Sequence, residues 1–469
     1  MRLQLYNTLG GKKEEFHPLE AGKAGVYTCG PTVYHYAHIG NMRTYIVEDG
    51  LVRALKFFGF SVKRVMNITD VGHLTSDADT GEDKMEIGAR REGKSAWDIA
   101  RFYTEAFFKD YKALNCLMPD VLCPATGYIK EMIDLVLVLD KKGFTYRIGD
   151  GIYFDTAKFP EYGKLAGKSH VEGLREGARV EANPEKRNPA DFALWKLSAS
   201  GEKRQMEWDS PWGVGFPGWH LECSAMAMKH LGETIDIHCG GEDHVAIHHT
   251  NEIAQSEGAT GKPFANYWLH ARFLVMGDAG KMSKSAGGFI TTSTLPEKGY
   301  DPLAYRYYCL LTHYRKQLEF TWDGVAAAAR GLDGLRSMIA RLLEESALKK
   351  AHRPDKNAAY YLKFSEALAD DLNMPQALAT IWEVLRDTAL PSEEKLGFVL
   401  AADEVLGLDL KRAPAEDVLP PELMSMVEER QQARTNRDFK KSDELRKALL
   451  EKGVSVEDTP KGVRWKLVK

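Results

Sequence analysis

The chain is poor in cysteine and pairs none of it locally. Cys29, Cys116, Cys123, Cys223, Cys239 and Cys309 are scattered over 469 residues without a Cys-x-x-Cys, which argues against a disulfide framework and for a reducing, cytoplasmic compartment. No apolar run is long enough to span a bilayer, and Met1 to Phe16 are too polar for a secretory signal. Neither an internal repeat nor a low-complexity tract is present. Charge of one sign is not in excess either: 63 basic residues face 67 acidic ones, a formal net charge of −4. Any nucleic-acid contact must therefore come from local patches. A chain this long is expected to hold about three domains.

What is present begins with a βαβ pattern. Gly25 to Cys29 reads as a short buried strand. Ile46, Val47, Leu51 and Leu55 recur at helical spacing over Asn41–Phe58, and Ser61–Ile68 reads as a second strand. Such a unit predicts parallel pairing, with ligands beyond the carboxyl ends of the strands, where Cys29 and Thr69 fall. Helices are expected over Ser95–Leu114 and Glu131–Lys142. A turn-rich stretch from Gly149 to Gly215, with a strand at Ile152–Phe154, reads as an insertion in the sheet. A helix through Cys223 to Leu231, a strand at Ile235–His238 and a helix through His249 to Gln255 resume the pattern. Leu335, Ile339, Leu342 and Leu343 begin a helical bundle. Phe364, Leu368, Leu372 and Ala377 suggest its second helix. Near the end, Val463, Trp465 and Leu467 alternate after a Pro460-Lys-Gly462 turn, a hairpin signal.

Four scattered residues could hold a metal. His248 and Glu252 project from one helix face, Cys223 lies in Gly218-Trp-His-Leu-Glu-Cys-Ser224, and Cys29 ends the first strand. They are the ligand types zinc takes. Spacing alone leaves open a buried thiol pair beside a helical His–Glu hydrogen bond. His249 is turned about 100° from His248, so the two are not expected to face one ion. Cys239 is a competing ligand or a packed thiol.

Two separated motifs give these residues a context. Thr28-Cys-Gly-Pro-Thr-Val-Tyr-His-Tyr-Ala-His-Ile-Gly-Asn41 and Lys281-Met-Ser-Lys-Ser285 resemble, in this order, the two signatures of class I aminoacyl-tRNA synthetases. With the four metal candidates the chain resembles that class's cysteine-activating family, the cysteinyl-tRNA synthetases, over nearly its whole length. The resemblance implies one zinc ion on Cys29, Cys223, His248 and Glu252, ATP accompanied by Mg²⁺, and L-cysteine and tRNA(Cys) as substrates. It implies His38, Asn41, Lys281 and Lys284 as catalytic residues, with Gly40 and Ser283 also at ATP. It implies Thr69, Trp219, His238 and Asp243 around the substrate cysteine, Trp219 reading equally as core. Asn41 departs from the family's usual histidine, and Cys239 from its usual glycine.

The implied fold is α/β, a doubly wound parallel Rossmann-like sheet with an inserted subdomain, then a helical bundle and a small mixed anticodon-binding module. The expected division is 1–120 with 216–275 for the catalytic halves, 121–215 for the insertion, 276–334 for a linker carrying the second signature, 335–412 for the bundle and 413–469 for the last module. Ala369-Asp-Asp-Leu-Asn-Met-Pro375 resembles the family's bundle. Arg437-Asp-Phe-Lys-Lys-Ser-Asp-Glu-Leu-Arg446 resembles its tRNA-reading module, implying tRNA contacts at Arg437, Asp443 and Trp465. Trp465 reads equally as a core residue. A monomer is expected. The alternatives are a cysteine ligase that uses an amino sugar, which the tail from Pro421 argues against, and a non-catalytic tRNA-binding paralogue, which the two signatures argue against.

Overall fold

The computed structural model describes residues 2–72, 82–167, 183–198, 204–276, 289–346, 355, 358–413, 421–459 and 462–467. The expectations for Lys281, Ser283 and Lys284 lie outside the described residues. The chain divides into two compact units, Met1–Lys411 and Arg412–Lys469.

The first unit opens with the hairpin β1 (Gln4–Asn7) and β2 (Lys12–Glu15). Its centre is a five-stranded sheet built from β3 (Lys23–Thr28), β4 (Ser61–Ile68), β5 (Val121–Pro124), β10 (Ile235–Gly241) and β11 (Ala265–Ala271). The order is β11-β10-β3-β4-β5 and every pairing is parallel. The first strand in sequence thus lies in the middle and the chain winds outward in both directions, as in doubly wound folds. In register, Thr28 lies opposite Met66 on one side and Cys239 on the other. The chain segments that leave the sheet beside β3 therefore carry Cys29, Thr69 and the end of β10.

Helix α1 (Ile39–Phe57) crosses from β3 to β4 and buries Ile39, Met42, Ile46, Leu51 and Leu55. Gly59, at φ +90°, turns the chain back into β4. Helices α2 (Lys84–Glu92), α3 (Ala96–Ala113) and α4 (Ile129–Lys141) follow. The insertion supplies an antiparallel four-stranded sheet of β6 (Thr145–Ile148), β7 (Gly151–Phe154), β8 (Phe192–Leu197) and β9 (Gly215–Pro217), in that order. Helix α5 (Trp219–Leu231) leads back to β10. A short helix α6 (Asp243–Ala246) and then α7 (His248–Thr260) precede β11. No helix among the described residues is long and apolar enough to cross a membrane.

Beyond β11 the chain is largely helical. The expected second bundle helix over Phe364–Ala377 is two helices, Ala359–Ala369 and Met374–Arg386. They break at Asp371 and Leu372, whose φ values are +58° and +55°, and Pro375 lies in the first turn of the second. Asp371 explains the break. Its carboxylate accepts from Tyr6 N (2.8 Å), Tyr314 Oη (2.6 Å) and Arg315 Nε (2.6 Å), so the turn fastens the bundle to the first hairpin.

A buried charge network ties the same layers together. Asp49 on α1 accepts from Arg53 Nε (2.7 Å), Arg306 Nη2 (2.5 Å) and Leu117 N (2.7 Å). Arg306 also donates to Leu406 O (2.6 Å) and Leu114 O (3.0 Å), and Arg53 to Glu404 O (2.7 Å). Asp49, Arg53 and Arg306 are all buried.

Asp110 on α3 is different: among the described residues its carboxylate makes no ion pair, so its desolvation is poorly repaid. Burial pushes its carboxyl up to about 6, against partial relief from Lys109. A carboxyl whose folded pKa lies above its unfolded value loses stability as pH rises between the two. Asp110→Asn is therefore expected to match the parent near pH 4 and to be more stable above pH 7, by about 1–2 kcal/mol after solvent screening. Urea unfolding at the two pH values checks it.

The second unit packs the helices Pro421–Thr435 and Phe439–Glu451 on a hairpin of the strands Val454–Thr459 and Gly462–Leu467. Val427, Leu449, Val454 and Val456 form its core. Buried Arg430 holds Asp458 through two bonds, 2.8 and 2.9 Å.

Candidate metal centre and active site

Four side chains from three parts of the chain meet beside the end of β3. Cys29 follows the strand, Cys223 lies on α5, and His248 and Glu252 stand one turn apart on α7. Their donor atoms all lie within 4.8 Å of one another, and all four residues are buried. The pairing of His248 Nε2 with Glu252 Oε1 is informative. The atoms are 2.8 Å apart, yet Glu252 Oε1 is a buried oxygen without a hydrogen bond. The nitrogen and the oxygen are brought this close without hydrogen-bond geometry, as two ligands of a common ion would be. Sulfur, imidazole and carboxylate together suit a borderline-soft divalent metal, so the residues fit such an ion.

The charges in the cluster hold one another. A hydrogen bond from Cys29 is the main cause lowering the Cys223 thiol to about 6; burial opposes it and His248 assists. Burial works against charge on His248, but Glu252 and Cys223 raise it to about 10. Glu252 is held below the ordinary carboxylate range: His238 and His248 outweigh its burial.

Three of the four ligand candidates, Glu252, His248 and Cys29, are supported from behind. His238 Nε2 is 2.8 Å from Glu252 Oε2, and its ring stacks on Trp268 at 4.6 Å. His220 Nδ1 is 3.0 Å from His248 Nδ1. His249 Nε2 lies 3.3 Å from Cys29 Sγ, while its Nδ1 meets His270 Nε2 at 2.7 Å. Both neighbours His248 and His249 therefore reach this cluster, although on the helix they point apart. Cys29, His238, His249 and Glu252 make a second group of convergent donors. Among the described residues Cys239 is in neither group: it packs in the apolar core, and its carbonyl accepts from Cys29 N (3.1 Å). Supporting hydrogen bonds orient metal ligands, and losing one typically costs about 10–100-fold in metal affinity. His238→Phe keeps the stacking on Trp268 but drops the bond to Glu252, so a loss of that size is expected in chelator competition.

The cluster adjoins an open cleft of about 300 Å³ lined by Cys29, His38, Asn41, Lys84, Trp219 and Asp243 among others. Trp219, half-buried, stands on the cleft wall and stacks on His248 with ring centres 4.5 Å apart. Thr69 is buried, its hydroxyl accepting from Asn67 Nδ2 (3.0 Å). His238 is buried against Glu252 rather than placed on the cleft wall. Asp243 opens α6, and a side chain at Gly241 would bring a Cβ within 2.4 Å of its carboxylate.

His38 caps α1. Asn41 N donates to His38 Nδ1 (3.1 Å), and Asn41 Oδ1 accepts from His38 N (3.2 Å). This reciprocal cap gives asparagine a local reason to stand at position 41. It also fixes the imidazole: Nδ1 accepts, so in the neutral ring Nε2 carries the proton. At Gly40 a Cβ would approach the His38 ring at 3.0 Å, so glycine lets the ring lie over the helix start.

In the second unit Arg437 and Asp443 are exposed. Trp465 is half-buried, pairs with Val456 across the hairpin and packs on the small core. Sequence reasoning did not single out Lys84, His220 or His270 for the site. Only their spatial neighbours mark them.

Residues 15–330 match the family described as tRNA synthetases class I (C) catalytic domain, and 416–465 match the cysteinyl-tRNA ligase anticodon binding domain. The chain is 46% identical over 492 residues to the cysteine–tRNA ligase of Treponema denticola, across 99% of this chain and 100% of that one. The chain belongs to the cysteine–tRNA ligase family. A second relative, cysteine–tRNA ligase 1 of Burkholderia lata, is 50% identical over 466 residues, covering 99% and 97% of the two chains. A methionyl-tRNA synthetase of Mycobacterium tuberculosis, solved in complex with methionyl-adenylate, aligns with a TM-score of 0.55 over 82% of this chain and 90% of its own, at 14% identity. That likeness shows a shared fold. The family thus pairs a class I catalytic domain with an anticodon-binding domain in one chain, and both are matched here.

Proposed function

We propose that the chain joins L-cysteine to tRNA(Cys) through a cysteinyl-adenylate made from ATP, with zinc on Cys29, Cys223, His248 and Glu252 and Mg²⁺ accompanying ATP. The observation that carries this reading is the convergence of those four buried donors beside a cleft at the strand ends, in a chain of this family. When bound, zinc supplies a soft Lewis acid that favours a thiolate over the hydroxyl of serine. Size selection alone would separate such close analogues only about 10–200-fold.

The chain's own groups do the rest. Asp243 on the cleft wall is placed to accept the α-ammonium group. Trp219 walls the site and holds the His248 ring by stacking. His38 Nε2–H donates to the phosphates, with the start of α1 adding backbone N–H groups. Gly40 keeps that approach open, and Asn41 holds His38 in register. Lys281 and Lys284 offset the charge of the departing pyrophosphate, and Ser283 contacts ATP. Thr69 lines the strand end beyond Cys29. In the second unit Arg437 and Asp443 present polar groups to tRNA, and the exposed part of Trp465 offers a stacking edge. The protein acts as a monomer in the cytoplasm.

Cysteine-dependent ATP–pyrophosphate exchange tests this reading, with serine in parallel. Exchange with cysteine, and none with serine at equal concentration, is the expected result. Equal exchange with both would remove the metal's selective role.

A further inference from the structure

Lys84 is the first residue of α2, directly after the cap Asp83. Among the described residues that line the cleft it is the one lysine or arginine. Its Nζ stands 5.8 Å from the centre of the Trp219 ring and 5.9 Å from that of Tyr34. The Trp219 ring in turn stacks on His248, so the row runs from the donor cluster through the indole to the Lys84 ammonium.

This order matches the shape of the substrate under the reading above, on which the inference rests. An amino acid with its thiol at the cluster extends its carboxylate along Trp219, toward Lys84. Activation brings that carboxylate against the α-phosphate, and both are anions. We propose that Lys84 is a catalytic charge clamp, its ammonium held between the cysteine carboxylate and the α-phosphate of ATP. In the step it serves, a carboxylate oxygen forms a bond to the α-phosphorus. The bond from that phosphorus to the bridging oxygen breaks, and its electron pair leaves with pyrophosphate. The clamp reduces the repulsion between nucleophile and phosphate and keeps its charge throughout, so no proton need move.

Lys84→Met keeps the stem that packs on the rings and removes the charge; Lys84→Arg keeps the charge. Three readouts separate a clamp from a packing role: exchange kinetics, zinc content, and inhibition of exchange by cysteamine, which is cysteine without its carboxylate. For Lys84→Met we expect kcat/KM for cysteine to fall about 100-fold or more, with Lys84→Arg retaining about a tenth of parent activity. Zinc content should be unchanged and the cysteamine inhibition constant should stay within about twofold. The clamp is overturned if Lys84→Met exchanges within about threefold of the parent. It is overturned equally if cysteamine weakens in step with cysteine, or if zinc is lost, since either marks a structural role. Failure of the parent itself to exchange with cysteine would strike the underlying activity instead, and with it the clamp.

Discussion

Cys223→Ser is expected to lose bound metal and cysteine-dependent exchange together, the latter by about 1,000-fold or more. The reason lies in the protonation of the donor. Cys223 is buried and its thiol is already lowered to about 6 by the Cys29 hydrogen bond, so a thiolate is at hand for a cation at neutral pH. A serine hydroxyl in the same place stays protonated and is a far poorer ligand for a soft site. The loss also strands its partners: Glu252 Oε1 and His248 Nε2, 2.8 Å apart, would share a site without the charge that balances them. Cys309→Ser is the control. Cys309 is buried in the apolar core and belongs to neither donor group. Metal stoichiometry by mass spectrometry and exchange kinetics on both variants check the prediction. Full metal content in Cys223→Ser would place the ion on the second donor group, Cys29, His238, His249 and Glu252.

Asp49→Asn is expected to cost about 3–5 kcal/mol of stability, because it leaves two buried guanidinium groups uncompensated. Arg306 is fully buried and Arg53 nearly so, and Asp49 is the carboxylate both of them meet. An amide can still accept hydrogen bonds but returns none of the Coulomb attraction. Burial acts to raise the Asp49 carboxyl, and Arg306 and Arg53 outweigh it, so the group is held below its ordinary range. Its stabilisation is therefore present above the ordinary carboxylate pKa and lost as pH falls through the lowered one. The penalty of the variant should persist across the neutral range and shrink only in strong acid. Urea midpoints at pH 7 give the size. Because Arg306 donates to Leu406 O and Leu114 O, both sides of the catalytic unit should loosen together.

Much of the architecture was legible because local signals agreed. The strand Ser61–Ile68 has the bounds read from its apolar pattern, and the first helix differs only at its ends, where the His38–Asn41 cap decides the start. Strands β5 and β11 escaped notice. A short strand buried in a parallel sheet lacks the alternation that marks a half-exposed one, and Val121–Pro124 has only four residues. The bundle misreading at 370–373 has a different origin. Phe364, Leu368, Leu372 and Ala377 are all buried, so the apolar spacing was right. The demand of Tyr6, Tyr314 and Arg315 on Asp371 is tertiary and leaves no periodic trace.

The site divides the same way. Its four metal candidates were readable because they sit in or beside motifs that resemble a known family. Their supports were not. His220 meets His248 from 28 positions away, and His270 reaches Thr8 (2.8 Å) from 262 positions away. Lys84 carries no motif of its own, and only the folded cleft sets it over Trp219. The sequence also left Trp219 evenly divided between core and pocket. In the fold the ring lines the open cleft and stacks on His248.

The most direct test of the central claim is transfer of radiolabelled cysteine to tRNA by the full-length protein with ATP and Mg²⁺. Acid-precipitable label on tRNA(Cys), dependent on ATP and absent with labelled serine, is the result expected of a cysteine–tRNA ligase. Cysteine-dependent exchange without any label on tRNA would contradict that assignment and would show that the adenylate is made for another acceptor.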